Sequence, residues 1–166
     1  MRKSKLELIA KKLVEKFPGH IIVPGEGPED AKVMLIGQNP GEQEEKTGRP
    51  FIGRAGKYLN KVLAKNGIDR QKVFITSVVK FRTPENRLPD ESEVLQNMPL
   101  MVEQIEAIAP KVVVLMGKLA WQVPEVGEIE FVKTYHPSAA MRFSKMRARF
   151  EGDFEKVAPK IRKLLK

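Results

Sequence analysis

Cysteine is absent from all 166 residues, which excludes disulfides, thiolate zinc sites and cysteine-ligated iron–sulfur clusters. Nothing near the N-terminus has the apolar length of a signal peptide or a membrane span. A metal-free cytoplasmic protein without a bound cofactor is the resulting expectation. The phosphate-cradling pattern G-x-x-x-x-G-K-[ST] is also missing, which argues against a nucleotide-binding or phosphate-binding α/β protein. Neither an internal repeat nor a linker interrupts the chain. Its length suits one domain over residues 1–166, with a full core and no room for two ordinary domains.

Acidic residues are in deficit. Thirty Lys and Arg stand against 21 Asp and Glu, giving a formal charge of +9 and a sequence pI near 9.8. Such an excess points towards a polyanion such as nucleic acid. It is concentrated at the C-terminus, where residues 133–166 carry ten basic side chains and three acidic ones. Arg142, Lys145, Arg147 and Arg149 follow one another with no acid between them, directly after His136-Pro137-Ser138. A solvated helix face would usually intersperse acids.

Hydrophobic spacing predicts the elements. Ser4-Lys5-Leu6-Glu7 is a capping box ahead of Leu6, Ile9, Leu13 and Phe17, so a first helix should run to about Lys16 and end at Pro18-Gly19. Residues 32–37 read as a buried strand, 55–66 as a helix, and 73–79 as a second strand. Asp90 and Glu93 cap a long apolar-faced helix through Ile108, with a kink expected at Pro99. A third strand at 112–115, a short helix around Leu119 and Trp121, a fourth strand at 130–135 and a last helix from Asp153 complete the chain. Each return to a parallel neighbour needs a crossover, so this alternation predicts a three-layer α/β/α sandwich with a four-stranded parallel sheet. Loops 38–54, 80–90 and 136–150 all follow strands and should gather on one edge of it.

The apolar run Val33-Met34-Leu35-Ile36 stops at Gly37-Gln38-Asn39-Pro40-Gly41, and Gly48-Arg49-Pro50-Phe51-Ile52-Gly53 follows. A buried strand ending in Gly, two carboxamides and Pro-Gly places backbone and side-chain amides at the carboxyl edge of the sheet. Open α/β folds bind their ligands there.

The chain carries Gly37-Gln38-Asn39-Pro40-Gly41-Glu42-Gln43-Glu44-Glu45, Thr47-Gly48-Arg49-Pro50-Phe51-Ile52-Gly53-Arg54-Ala55-Gly56, Phe74-Ile75-Thr76-Ser77-Val78-Val79-Lys80, Glu85-Asn86-Arg87-Leu88-Pro89 and Tyr135-His136-Pro137-Ser138. In this order, at successive strand ends, they resemble the uracil-DNA glycosylase superfamily over roughly residues 30–150, most closely its family 4. The resemblance implies a monofunctional glycosylase that hydrolyses the N-glycosidic bond of a deaminated base in DNA and leaves an abasic site. Its partner would be DNA, single- or double-stranded, and the protein a nucleoid-associated monomer. Two departures stand out. Family 4 members usually hold a [4Fe–4S] cluster through four cysteines, whereas Phe81 and Asn97 occupy the two central ligand positions here and the N-terminal pair is absent. Ser77 stands where the family typically places an Asn that reads the uracil edge.

By this resemblance, Phe51 is the stacking wall for an extruded base, with Gly37, Gln38 and Ser77 around it. His136 would donate a hydrogen bond to the base's O2 as negative charge builds there. Asn39, in a motif closer to the mismatch-specific and single-strand-selective branches, cannot act as a base, but its oxygen can hold a water below the anomeric carbon. Glu44 would orient water or offset charge on the sugar. Met141, or else Phe143, would fill the gap left in the stack, and Arg142, Lys145, Arg147, Arg54, Lys80 and Arg82 would hold phosphates. Ser77 leaves alternatives open: a larger base such as hypoxanthine or xanthine, or a non-catalytic relative that binds damaged DNA.

Overall fold

The computed structural model describes residues 3–166. Helix α1 (Lys5–Lys16) starts where Ser4 accepts a hydrogen bond from the Glu7 amide. The strands are β1 (Val33–Gly37), β2 (Phe74–Ser77), β3 (Val112–Met116) and β4 (Glu130–Thr134), all parallel in the order β2-β1-β3-β4. Every residue of β1 and β3 is buried, as expected of central strands covered on both faces. Between the strands lie α2 (Glu42–Thr47), α3 (Arg54–Lys65) and α4 (Glu91–Ile108), and α5 (Pro137–Arg142) and α6 (Ser144–Leu164) follow β4. Among the described residues, no helix is long and apolar enough to cross a membrane.

Alternation along the strands divides the core in two. Met34 and Ile36 face a layer containing Leu13 of α1 and Met101 and Ile105 of α4. Val33 and Leu35 face Leu59 and Leu63 of α3 and Phe150, Phe154 and Ile161 of α6. The chain leaves β1 for β2 on one side and returns to β3 on the other. The crevice beyond the carboxyl ends of β1 and β3 is therefore the topological switch point where such sheets bind ligands.

The structure corrects several expectations. The last helix begins at Ser144, nine residues before Asp153, and α5 precedes it, so 136–150 is mostly helical. The basic run had masked the apolar spacing of Phe150 and Phe154. Residues 38–54 likewise enclose α2, whose own turns bury nothing and so leave no periodic signal. The segment at Leu119 and Trp121 shrinks to a 3₁₀ turn at Ala120–Gln122.

The cluster positions do not fit an iron–sulfur group. Phe81 is buried, with its ring centroid 5.2 Å from Phe17 and stacked 4.0 Å from His20. Asn97 is buried too: its Oδ1 accepts from the Lys80 amide at 3.1 Å and its Nδ2 donates to the Glu93 carbonyl at 2.8 Å. An aromatic contact and a carboxamide bridge hold these loops without metal. Among the described residues, no three His, Cys, Asp or Glu side chains cluster as a metal site.

Candidate active site

A cleft of about 270 Å³ opens at the switch point, lined by Gln38, Asn39, Glu44, Phe51, Ser77 and His136, among others. These six come from four separate stretches of sequence, three of them strand ends. Val23, which carried no sequence signal, also lines it, as do Asn86 and Ser138, which lie in the quoted motifs without an assigned role.

Phe51 forms one wall. Its ring lies so close over Gly37 that a Cβ there would sit 2.3 Å from Cζ, which explains glycine as the last residue of β1. The backbone of Phe51 takes a positive φ of 50°, a conformation costing about 1–3 kcal/mol for a bulky residue. Two groups hold it. Arg70 donates from Nη1 to the Phe51 carbonyl (2.7 Å) and from Nη2 to the Pro50 carbonyl (2.5 Å). Glu44 accepts from the amides of Gly41 (2.9 Å), Ile52 (2.9 Å) and Gly53 (2.7 Å). Helix α3 closes in behind, where a Cβ on Gly56 would collide with the Phe51 carbonyl. Three of Glu44's lone-pair sites are thus committed to the loop, so the geometry makes it a tether rather than a free carboxylate facing the sugar. Arg70 was invisible to sequence reasoning, because its partners are main-chain carbonyls twenty residues away.

His136 caps α5. Its Nδ1 accepts from the Ser138 amide at 3.1 Å and lies 2.7 Å from the Ser138 hydroxyl. An acceptor Nδ1 carries no proton, so Nε2 bears the hydrogen. Nε2 faces the cleft beside Gly37, and the imidazole centroid is 5.7 Å from that of Phe51. Burial lowers the His136 pKa to about 4, so the ring is neutral at physiological pH and presents an N–H donor.

Asn39 is oriented by both ends of its carboxamide. Nδ2 donates to the Phe81 carbonyl at 3.3 Å, and Oδ1 accepts from Gln38 Nε2 at 3.2 Å. Asn39 lines the cleft, and its oxygen keeps a lone pair for water. Ser77, at the end of β2, is buried at the inner wall.

The basic residues separate into two groups. Arg54 and Arg142 are exposed and share a second hollow with Met141 and Ser138, next to the main cleft, and Lys145 is exposed nearby in sequence. The other three have partners within the protein, although Arg147 stays exposed and Arg82 half-buried. Lys80 is fully buried and cannot reach a phosphate. Arg147 donates to the carbonyls of Ala140 (3.0 Å) and Met141 (2.9 Å), tying α5 to α6. Arg82 is hydrogen-bonded to Asn86 (2.8 Å) and lies 3.8 Å from Glu45. Met141 sits half-buried on α5, whereas Phe143 is 51% exposed at the α5–α6 junction, the more accessible of the two.

A parallel α/β sheet whose switch-point cleft combines an aromatic wall, a neutral imidazole donor and an oriented carboxamide, beside exposed arginines, defines a receptor for a flat heterocycle attached to a polyanion. The sequence comparisons agree. The model of the uracil DNA glycosylase superfamily matches residues 24–161, and the chain belongs to that superfamily. It is 38% identical to the type-4 uracil-DNA glycosylase of Sulfurisphaera tokodaii, over 81% of this chain and 72% of that protein. Likeness to the type-4 enzyme of Saccharolobus solfataricus is 36%, over 81% and 74%. For that of Thermotoga maritima it is 34%, over 85% of each chain.

Proposed function

We propose that this protein is a monofunctional DNA glycosylase of base excision repair. It acts as a monomeric single domain on DNA in the cytoplasm, hydrolysing the N-glycosidic bond of uracil and leaving an abasic site. The observation that carries the reading is the convergence of Phe51, His136 and Asn39 on one cleft at the switch point. An extruded base stacks on Phe51, and the cost of unstacking, about a few kcal/mol, is recovered by burial in the cleft. As the bond from C1′ to the base breaks, its electron pair stays with the base. His136 Nε2–H donates to the O2 that gains charge, and needs no protonation to do so. Asn39 Oδ1 holds the water whose oxygen bonds to C1′, and the proton this water releases neutralises the departed base anion, directly or through solvent. Arg54, Arg142 and Lys145 take the flanking phosphates and Phe143 enters the stack.

A second reading keeps the reaction and changes the base. Ser77 is shorter than a base-reading Asn, and the space it leaves suits a bulkier purine such as hypoxanthine or xanthine. Labelled oligonucleotides carrying uracil, hypoxanthine or xanthine, incubated with the protein and then cleaved with alkali at abasic sites, separate the possibilities. Breaks in the uracil lane support the main reading and breaks only in a purine lane the second. Tight binding with no breaks in any lane marks a non-catalytic binder. In the same assay Ser77→Asn should raise uracil discrimination by about 1–3 kcal/mol, because it adds a donor and an acceptor facing O4 and N3. A loss of uracil excision would mean that other groups read this edge.

A test of the DNA path is independent of chemistry. Arg142→Ala with Lys145→Ala should weaken binding to all sequences alike and reduce the slope of log affinity against log salt by about 1–2. An unchanged slope, measured by fluorescence anisotropy, would place the phosphates elsewhere.

A further inference from the structure

Lys80 is the largest fully buried side chain among the described residues, and burial alone lowers its pKa well below that of a free lysine. Its ammonium nitrogen lies 2.7 Å from Thr76 Oγ1, 2.5 Å from the Ser77 carbonyl and 2.6 Å from Gln104 Oε1, with Met101 Sδ at 3.4 Å. Each oxygen can only accept. The Thr76 hydroxyl spends its one hydrogen on the Pro24 carbonyl at 2.9 Å. Gln104 donates through Nε2 to that same carbonyl at 2.8 Å, which turns its oxygen to Lys80. Three acceptors require three hydrogens, which an ammonium has and a neutral amine lacks. Ser77, whose carbonyl is one of the three, lines the inner wall of the cleft.

We infer that Lys80 is a buried ammonium that stabilises the departing base anion electrostatically through the Ser77 end of the cleft, opposite the sugar. This rests on the glycosylase reading. His136 meets the anion by direct hydrogen bonding, whereas Lys80 acts one hydrogen bond behind the wall, with no solvent to screen its charge. The charge favours the state in which the electron pair has passed to the base. A better leaving group needs it less. Lys80 is thus a charge that positions the electrostatics of the cleft without touching substrate.

The test compares two bases in one oligonucleotide: uracil, and 5-fluorouracil, whose anion the fluorine stabilises. In single-turnover excision, Lys80→Met should slow release of uracil by about tenfold or more, and of 5-fluorouracil by a clearly smaller factor. Equal losses for both bases would show a merely structural lysine, and no loss would show an idle one; either overturns the inference. Gln104→Leu, which leaves Lys80 two oxygen acceptors, should shift both rates in the same pattern by less. Should Lys80→Met fail to fold, wild-type protein decides the point. A Lys80 Nζ signal with three attached hydrogens in a 1H–15N correlation spectrum at neutral pH supports the ammonium, and a neutral-amine signal overturns it. Wild-type protein that releases neither base would instead defeat the glycosylase reading, and the spectrum then judges the ammonium alone.

Discussion

His136→Ala is expected to slow single-turnover release of uracil by about 10²–10³-fold, while affinity for DNA changes no more than a few-fold. The imidazole meets the base only after extrusion, so its loss should leave the phosphate contacts intact. Its hydrogen bond also strengthens only as charge builds on O2, so the rate falls and binding does not. The pH dependence follows from the same geometry. With a pKa of about 4, His136 is neutral throughout the physiological range. The ratio of wild-type to His136→Ala rates should therefore be flat from about pH 5.5 to 8. A ratio that climbs towards acid would mean that an imidazolium is the donor. Stability behaves differently, because the folded pKa lies below the ordinary value of 6.5. The unfolded chain takes up the proton first, so the stability this burial permits is present above pH 6.5 and is lost as pH falls towards 4.

How far the sequence discloses this site depends on the range of the interaction. Strand ends are local events: Gly37 at the close of an apolar run, Ser77 and His136 after two others, each readable from composition alone. What was not legible concerns partners distant in the chain. Lys80 follows a strand, between Val79 and Phe81, and as a charge at a strand end it reads as surface. Its burial depends on Gln104 and Thr76 supplying acceptors, and no pattern in the sequence records that. Glu44 reads as a free acid in an acidic loop, but the amides of Ile52 and Gly53 claim it. Arg147 belongs to the basic run and is consumed by two carbonyls at the α5–α6 corner. Charges are usually solvated, so Lys80 and Glu44 read as facing outward, yet acceptors and amides within the fold engage them, whereas Arg147 stays exposed and only its guanidinium is tied to the two carbonyls.

Asn39→Ala should cost about 10²-fold in the same single-turnover assay, again with DNA affinity nearly unchanged. The carboxamide does no proton chemistry. Its contribution is an oxygen fixed in direction, because Nδ2 is held by the Phe81 carbonyl and Oδ1 by Gln38. Phe81 itself is set by its contacts with Phe17 and His20, so the water's address is referred to that aromatic packing. Alanine removes the acceptor and leaves water to find the anomeric carbon unaided. Asn39→Asp keeps an oxygen but loses the donor to Phe81, so it should recover part of the rate if acceptance is what matters. If Asn39→Asp were as slow as Asn39→Ala, the orienting bond to Phe81 would be the larger contribution. A fall in DNA affinity parallel to the fall in rate would instead place Asn39 in binding and remove it from the chemical step.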